Sequence, residues 1–84
     1  MPTGYTYVLS ETASEFAFRL PLREQKRLGL VCRRLAATPF QEGDYATTDP
    51  AGRRVQNLLM DDWVFTYWSD HAHREVRITD IVQV

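Results

Sequence analysis

Long apolar runs are missing from this 84-residue chain, and with them any candidate membrane span, which needs roughly 20 consecutive apolar residues. There is one cysteine, Cys32, so no internal disulfide can form and nothing points to an oxidising compartment. Residues 1–16 contain no charged segment followed by an apolar stretch, so no secretory signal is expected and a soluble, cytoplasmic protein is the default expectation. An excess of charge is missing too: ten Lys and Arg stand against eleven Asp and Glu, a net charge of −1 at pH 7. The chain therefore lacks the overall positive field typical of nucleic-acid binders, and any phosphate recognition must come from a local patch. Such a patch would be built from arginine, because Lys26 is the only lysine. The planar guanidinium fork suits phosphate and carboxylate better than an ammonium does.

What is present is an ordinary globular composition, 44% hydrophobic, in a length that allows one core and a single domain over residues 1–84. Tyr5-Thr6-Tyr7-Val8-Leu9 is aromatic and β-branched and predicts a first strand. Ser10 or Thr12 then starts a helix, and Thr12-Ala13-Ser14-Glu15 fits the capping-box pattern. Ala13, Phe16, Ala17 and Leu20 follow at i, i+3, i+4 and i+7, one apolar stripe. Pro21 closes this helix and can open the next. In that second helix, residues 22–37, Leu28, Val31, Cys32 and Leu35 form another stripe. Arg23, Lys26, Arg27, Arg33 and Arg34 take the other faces, as a solvated surface or a polyanion-binding one. Two helices joined so tightly should form an antiparallel hairpin.

After residues 40–43 the period changes from 3.6 to 2. Residues 44–48 predict a short polar strand near an edge, and Asp49-Pro50-Ala51-Gly52 suits a type I turn. Residues 53–60, 63–68 and 75–82 predict three more strands, the first pair joined at Asp61-Asp62 and the second by residues 69–74. The fold class is thus α+β: an N-terminal strand, an antiparallel helical hairpin, then an antiparallel meander sheet covered on one face by the helices. With those turn lengths Leu59 lies opposite Val64, Leu58 opposite Phe65 and Asn57 opposite Thr66. In the last pair Trp68 would face Glu75, Thr66 would face Arg77 and Phe65 would face Ile78. Leu58, Phe65, Tyr67, Val76 and Ile78 then point under the helices, whereas Arg53, Asn57, Thr66, Trp68, Arg77 and Thr79 point outward. The outward set could hold a phosphate on its arginines and a base on Trp68, or be an ordinary solvent face.

Both histidines fall in the stretch Ser69-Asp70-His71-Ala72-His73-Arg74. A zinc site needs three or four ligands, so His71, His73 and Asp70 alone argue weakly for a metal. As an acid or base, histidine titrates near neutral pH, and Arg74 and Arg77 could stabilise phosphate charge beside it. A plain polar connection between strands is the competing reading.

The segments YTYVLS, LREQKRLGLVCRRLAATP, EGDY, WVFTYWSD and REVRITDI, in this order, resemble the RelE/ParE superfamily of small toxins from bacterial toxin–antitoxin pairs. The resemblance spans nearly the whole chain. A RelE-like member would bind the ribosomal A site and cut messenger RNA without a metal or other cofactor. A ParE-like member would inhibit DNA gyrase without being a nuclease. Either would be held inactive by a protein antitoxin. RelE-like catalysis uses the open sheet face and the end of the last strand, where the ribose 2′-OH attacks the adjacent phosphate with help from a base, an acid and cations. Many such toxins carry an arginine where this chain has Val64, Phe65 and Thr66, and basic residues or a tyrosine where it ends DIVQV. On this chain's own residues, the expected catalytic set is His71, His73, Arg77 and Arg53, with Trp68, Arg74 and Asn57 touching RNA. The alternative is a non-enzymatic gyrase inhibitor or catalytically impaired binding protein of the same fold.

Overall fold

A computed structural model describes residues 4–84; residues 1–3, the start of the stretch in which no secretory signal is expected, lie outside the described residues. The elements are β1 (Thr6–Leu9), α1 (Glu11–Phe18), α2 (Leu22–Ala37), β2 (Tyr45–Thr48), β3 (Arg54–Met60), β4 (Trp63–Asp70) and β5 (Glu75–Gln83). This is the expected α+β order, with small shifts at the element ends. No helix among the described residues is long and apolar enough to cross a membrane.

Of the two candidate caps, Ser10 opens α1. Its hydroxyl accepts the Ala13 N–H at 3.1 Å and donates to the Thr79 carbonyl at 2.8 Å. It therefore satisfies an orphan donor and ties the helix to β5 at once, whereas Thr12, two residues further on, already lies inside the helix. Ala13, Phe16, Ala17 and Leu20 then turn to the core as spaced. Pro21 stands at the head of α2, where no side chain caps the helix. Gln25 reaches back instead and donates to the Leu20 carbonyl at 3.0 Å, holding the two helices together at their junction. On α2, Leu28, Val31, Cys32 and Leu35 are buried, and Arg23, Lys26, Arg27, Arg33 and Arg34 are exposed.

The sheet order is β1-β5-β4-β3-β2. The strands from β2 to β5 make the expected antiparallel meander, whereas β1 lies beside β5 and parallel to it, from Thr6↔Glu75 to Leu9↔Ile78. Nothing local in the sequence indicates that pairing. It follows from the crossover, because a strand that returns in the same direction needs a long connection, here everything between them.

The β3–β4 register is the expected one, with Leu59↔Val64, Leu58↔Phe65 and Asn57↔Thr66, and Asp61 takes φ 56° to close the tight turn. The β4–β5 register differs. Asp70 faces Glu75, Trp68 faces Arg77, Tyr67 faces Ile78, Thr66 faces Asp80 and Phe65 faces Ile81. The expected Trp68–Glu75 and Thr66–Arg77 pairs fail because β4 runs on to Asp70. The turn is accordingly shorter, residues 71–74, closed by the His73 N–H on the Asp70 carboxylate at 3.2 Å. A bulge between Thr66 and Tyr67 then inserts Thr79. A two-residue slip preserves the faces, so Leu58, Phe65, Tyr67, Val76 and Ile78 are all buried under the helices as expected. Trp63 joins them at one end, with the Arg27 guanidinium 4.6 Å above its ring.

The approach to β2 is fixed by a close backbone contact at Gly43. A Cβ there would lie 2.4 Å from the Asn57 carbonyl oxygen, and the adjacent Asp44 N–H donates to that same oxygen at 2.8 Å. Gly43→Ala should therefore push the 38–44 connection off β3 and destabilise the protein by about 1–3 kcal/mol, the usual range for overpacking. Urea unfolding measures this, and an unchanged midpoint would refute the tight approach.

Candidate functional site

The face turned away from the helices carries Arg53, Asn57, Thr66, Trp68 and Arg77. Trp68 is half-buried at its centre. The Arg53 guanidinium sits 3.9 Å from the centroid of its ring, a cation–π contact, and that of Arg77 lies 5.8 Å away. Neither arginine is free of acid. Arg53 lies 3.7 Å from Asp49, and Arg77 reaches Glu75 at 2.8 Å through Nη2 and Asp70 at 3.4 Å through Nε. Asp49 can serve here because its other oxygen accepts the Ala51 and Arg53 N–H groups at 3.0 and 2.8 Å, which fixes the β2–β3 turn.

Asn57 is different in kind, being only 5% exposed. Its amide nitrogen donates to Thr47 Oγ1 at 3.0 Å and to the Tyr45 carbonyl at 3.4 Å, and its oxygen accepts from Thr66 Oγ1 at 2.8 Å. The side chain thus ties β2, β3 and β4 together, as a buried amide must if its polar atoms are to be satisfied.

The turn after β4 sends the two histidines apart. His71 stacks on Phe40, centroids 4.7 Å apart and planes 12° apart, and its Nδ1 is 2.6 Å from the Tyr5 hydroxyl. It edges a cleft of about 290 Å³ that Phe40, Arg54, Tyr67 and Trp68 also line. His73 stands out in solvent, with Nδ1 2.9 Å from Asp70 Oδ2. Arg74 holds φ 53° and accepts the Thr6 N–H on its carbonyl at 3.1 Å, so this residue joins the turn to β1. Its side chain is exposed and forms no ion pair among the described residues.

Asp70 connects these parts. Partial burial acts to raise its carboxyl, but hydrogen bonds and charge from His73, and then the Arg77 hydrogen bond, outweigh it and hold the group below its ordinary value. The sequence shows Asp70 only as a weak metal ligand, and gives no sign that Asp49, Asp70 and Glu75 would each sit on an arginine. Phe40 and Tyr5, which enclose His71, are likewise silent in the sequence, since they lie far from it along the chain. Among the described residues, no three His, Cys, Asp or Glu side chains are grouped to hold a metal ion. Cys32 is no nucleophile candidate: burial, only partly offset by Arg33, pushes its thiol up to about 11.

No protein-family model matches the sequence, and no curated protein does. Solved structures match in shape. The toxin–antitoxin complex RelBE2 from Mycobacterium tuberculosis contains a chain with TM-score 0.76 and 18% identity, covering 95% of this chain and 98% of that one. The isolated RelE toxin of E. coli gives 0.73 at 12% identity, over 95% of this chain and 84% of that one. The archaeal RelE–RelB complex from Pyrococcus horikoshii gives 0.69 at 13%, over 99% and 96%. The chain has the fold of the RelE toxins.

Two measurements check the local chemistry. Cys32 should resist an aromatic disulfide reagent in the folded protein at about pH 8, close to the ordinary thiol range, and react fully in urea; rapid labelling without denaturant would contradict its burial. A carboxyl lowered by folding contributes stability above its unfolded value, about 3.9 for aspartate, and loses that contribution as pH falls through the folded value. The stability difference between wild type and Asp70→Asn should therefore shrink as the pH falls below the ordinary aspartate value through the lowered folded one. Denaturant midpoints of both proteins across this range decide it, and a difference that does not vary with pH would be the contrary result.

Proposed function

We propose that this chain is the toxin half of a bacterial toxin–antitoxin pair, a RelE-like endoribonuclease that cuts messenger RNA on the ribosome in the cytoplasm and is restrained by a protein antitoxin. The full-length likeness to RelE toxins, some of them crystallised with RelB, supports the pairing. The observation that carries the activity is the group on the open face: Arg77 and His73 bound to one oxygen of Asp70, next to Trp68 with Arg53 on its ring. A cation, a proton carrier and a stacking plate are the parts that metal-independent RNA cleavage requires.

In this reading Arg77 and Arg53 hold the scissile phosphate, Trp68 stacks a neighbouring base, and Arg74 meets the backbone from the turn. His73 takes the proton of the 2′-OH, the O2′–P bond forms and the P–O5′ bond breaks. The O5′ leaving group takes a proton from solvent, and the products are a 2′,3′-cyclic phosphate and a 5′-hydroxyl. Of the two histidines, His73 is the better proton carrier, because His71 is engaged with Phe40 and Tyr5. Asn57 supports this face from below through Thr66 and Thr47 rather than reaching RNA. The antitoxin would cover this face or the helical hairpin, where Phe18, Leu22 and Leu30 are 80%, 67% and 60% exposed beside an apolar groove.

One observation favours the non-enzymatic reading: each arginine of the open face already has a carboxylate partner, so phosphate must compete with it. A catalytically impaired binder or a ParE-like gyrase inhibitor would need no phosphate site there. Wild-type protein should cleave mRNA in a ribosome-dependent assay, and Arg77→Ala and His73→Ala should each slow cleavage by about 10²-fold or more. Absence of cleavage, or undiminished cleavage by the double variant, overturns the nuclease; loss of gyrase supercoiling in a parallel assay would establish the alternative.

A further inference from the structure

The two oxygens of Asp70 divide their work in a way that bears on the proton carrier. Oδ1 accepts the backbone N–H of His73 at 3.2 Å, and Oδ2 accepts from Nδ1 of the same histidine at 2.9 Å and from Arg77 Nε at 3.4 Å. A carboxylate has no proton to give, so the short Oδ2–Nδ1 bond requires that Nδ1 carry the hydrogen. In the neutral ring, Nε2 is then the bare nitrogen. The backbone bond fixes the other end of the same residue, so ring and main chain are held by one side chain.

We propose that Asp70 is a positioning residue: it locks His73 as the Nδ1–H tautomer, presents Nε2 as the proton-accepting atom, and holds that ring beside Arg77. This rests on the nuclease reading for its catalytic use, but not for the tautomer itself. The arrangement differs from the His71 contact, where Nδ1 meets a tyrosine hydroxyl that can donate or accept, and so imposes no tautomer. Sharing Oδ2 has a second effect. Arg77 gives its Nε–H to Asp70 and one Nη2–H to Glu75, which leaves both Nη1–H groups and the second Nη2–H to meet phosphate.

Asp70→Asn separates positioning from mere support of the turn. The amide oxygen can keep the His73 backbone N–H, which places the NH₂ group where Oδ2 was. In this orientation the group gives up the Arg77 Nε–H and donates to His73, which then accepts on Nδ1 and carries its hydrogen on Nε2. The substitution should invert the tautomer while leaving the turn closed.

Long-range proton–nitrogen correlation spectra of ¹⁵N-labelled full-length protein at about pH 8, above the ordinary imidazole range, read this directly. A His71→Gln variant leaves one histidine to assign. Expected are Nδ1–H for His73 in wild type and Nε2–H in Asp70→Asn, with the backbone spectrum otherwise native. An Nε2–H tautomer in wild type, or one unchanged by Asp70→Asn, overturns the proposal. In ribosome-dependent cleavage, Asp70→Asn should lower turnover by about 10²–10⁴-fold with little change in KM, and adding His73→Ala should cost nothing more. Wild-type turnover by Asp70→Asn also overturns it. Should the wild-type protein cleave nothing, the nuclease reading fails and the spectra still decide the tautomer.

Discussion

Trp63, Phe65 and Tyr67 on β4, and Val76, Ile78 and Ile81 on β5, must all point at the helices, although the second row changes parity between Ile78 and Ile81. In an unbroken ladder side chains alternate strictly, so one of these residues would be forced to the solvent side. The bulge that inserts Thr79 removes the conflict. It also gives Thr79 two uses, since its carbonyl receives the Ser10 hydroxyl that starts α1 and its hydroxyl donates to the Thr66 carbonyl. The helix that covers the sheet is thus anchored at the point where the sheet changes register. Everything on the far face, from Trp68 to Arg77, takes its position from this pairing.

On that far face the charges are arranged locally rather than as a field. Arg53 belongs to Asp49, and Arg77 to Asp70 and Glu75, in a chain with net charge −1. Pairs whose guanidinium stays half-exposed add little to stability, but they fix where that guanidinium points. A polyanion would meet oriented donors rather than a diffuse positive surface, which makes the face selective in geometry and weak in long-range attraction.

The elements were legible because each has a clean period: Leu28, Val31, Cys32 and Leu35 on α2, or Phe65 and Tyr67 on β4. The sheet faces were legible for the same reason, and they survived an error in turn length because that error was an even number of residues. Three things were not legible. The cap at Ser10 depends on a carbonyl far along the chain. The parallel docking of β1 depends on tertiary pairing with no local signal. The acid partners of the arginines depend on side-chain reach, so Asp70 looked like a spare ligand and Asn57 looked like a surface amide. Sequence pattern separated inside from outside; it could not say which polar side chains find each other.

The pairing of the first strand with the last also sets an order of events. Among the described strands β1 pairs with β5 alone, and Ser10 meets Thr79 across a separation of 69 residues. Closing so long a loop is slow compared with forming the helices or the β2–β3 hairpin, and it gives topology a large hold over the folding rate. During synthesis β1 must wait without its sheet partner until β5 has left the ribosome. Arg77 arrives with β5, and the turn that carries His73 directly precedes it. The open face therefore comes into being only once β5 has joined the sheet, among the later steps of folding rather than the first.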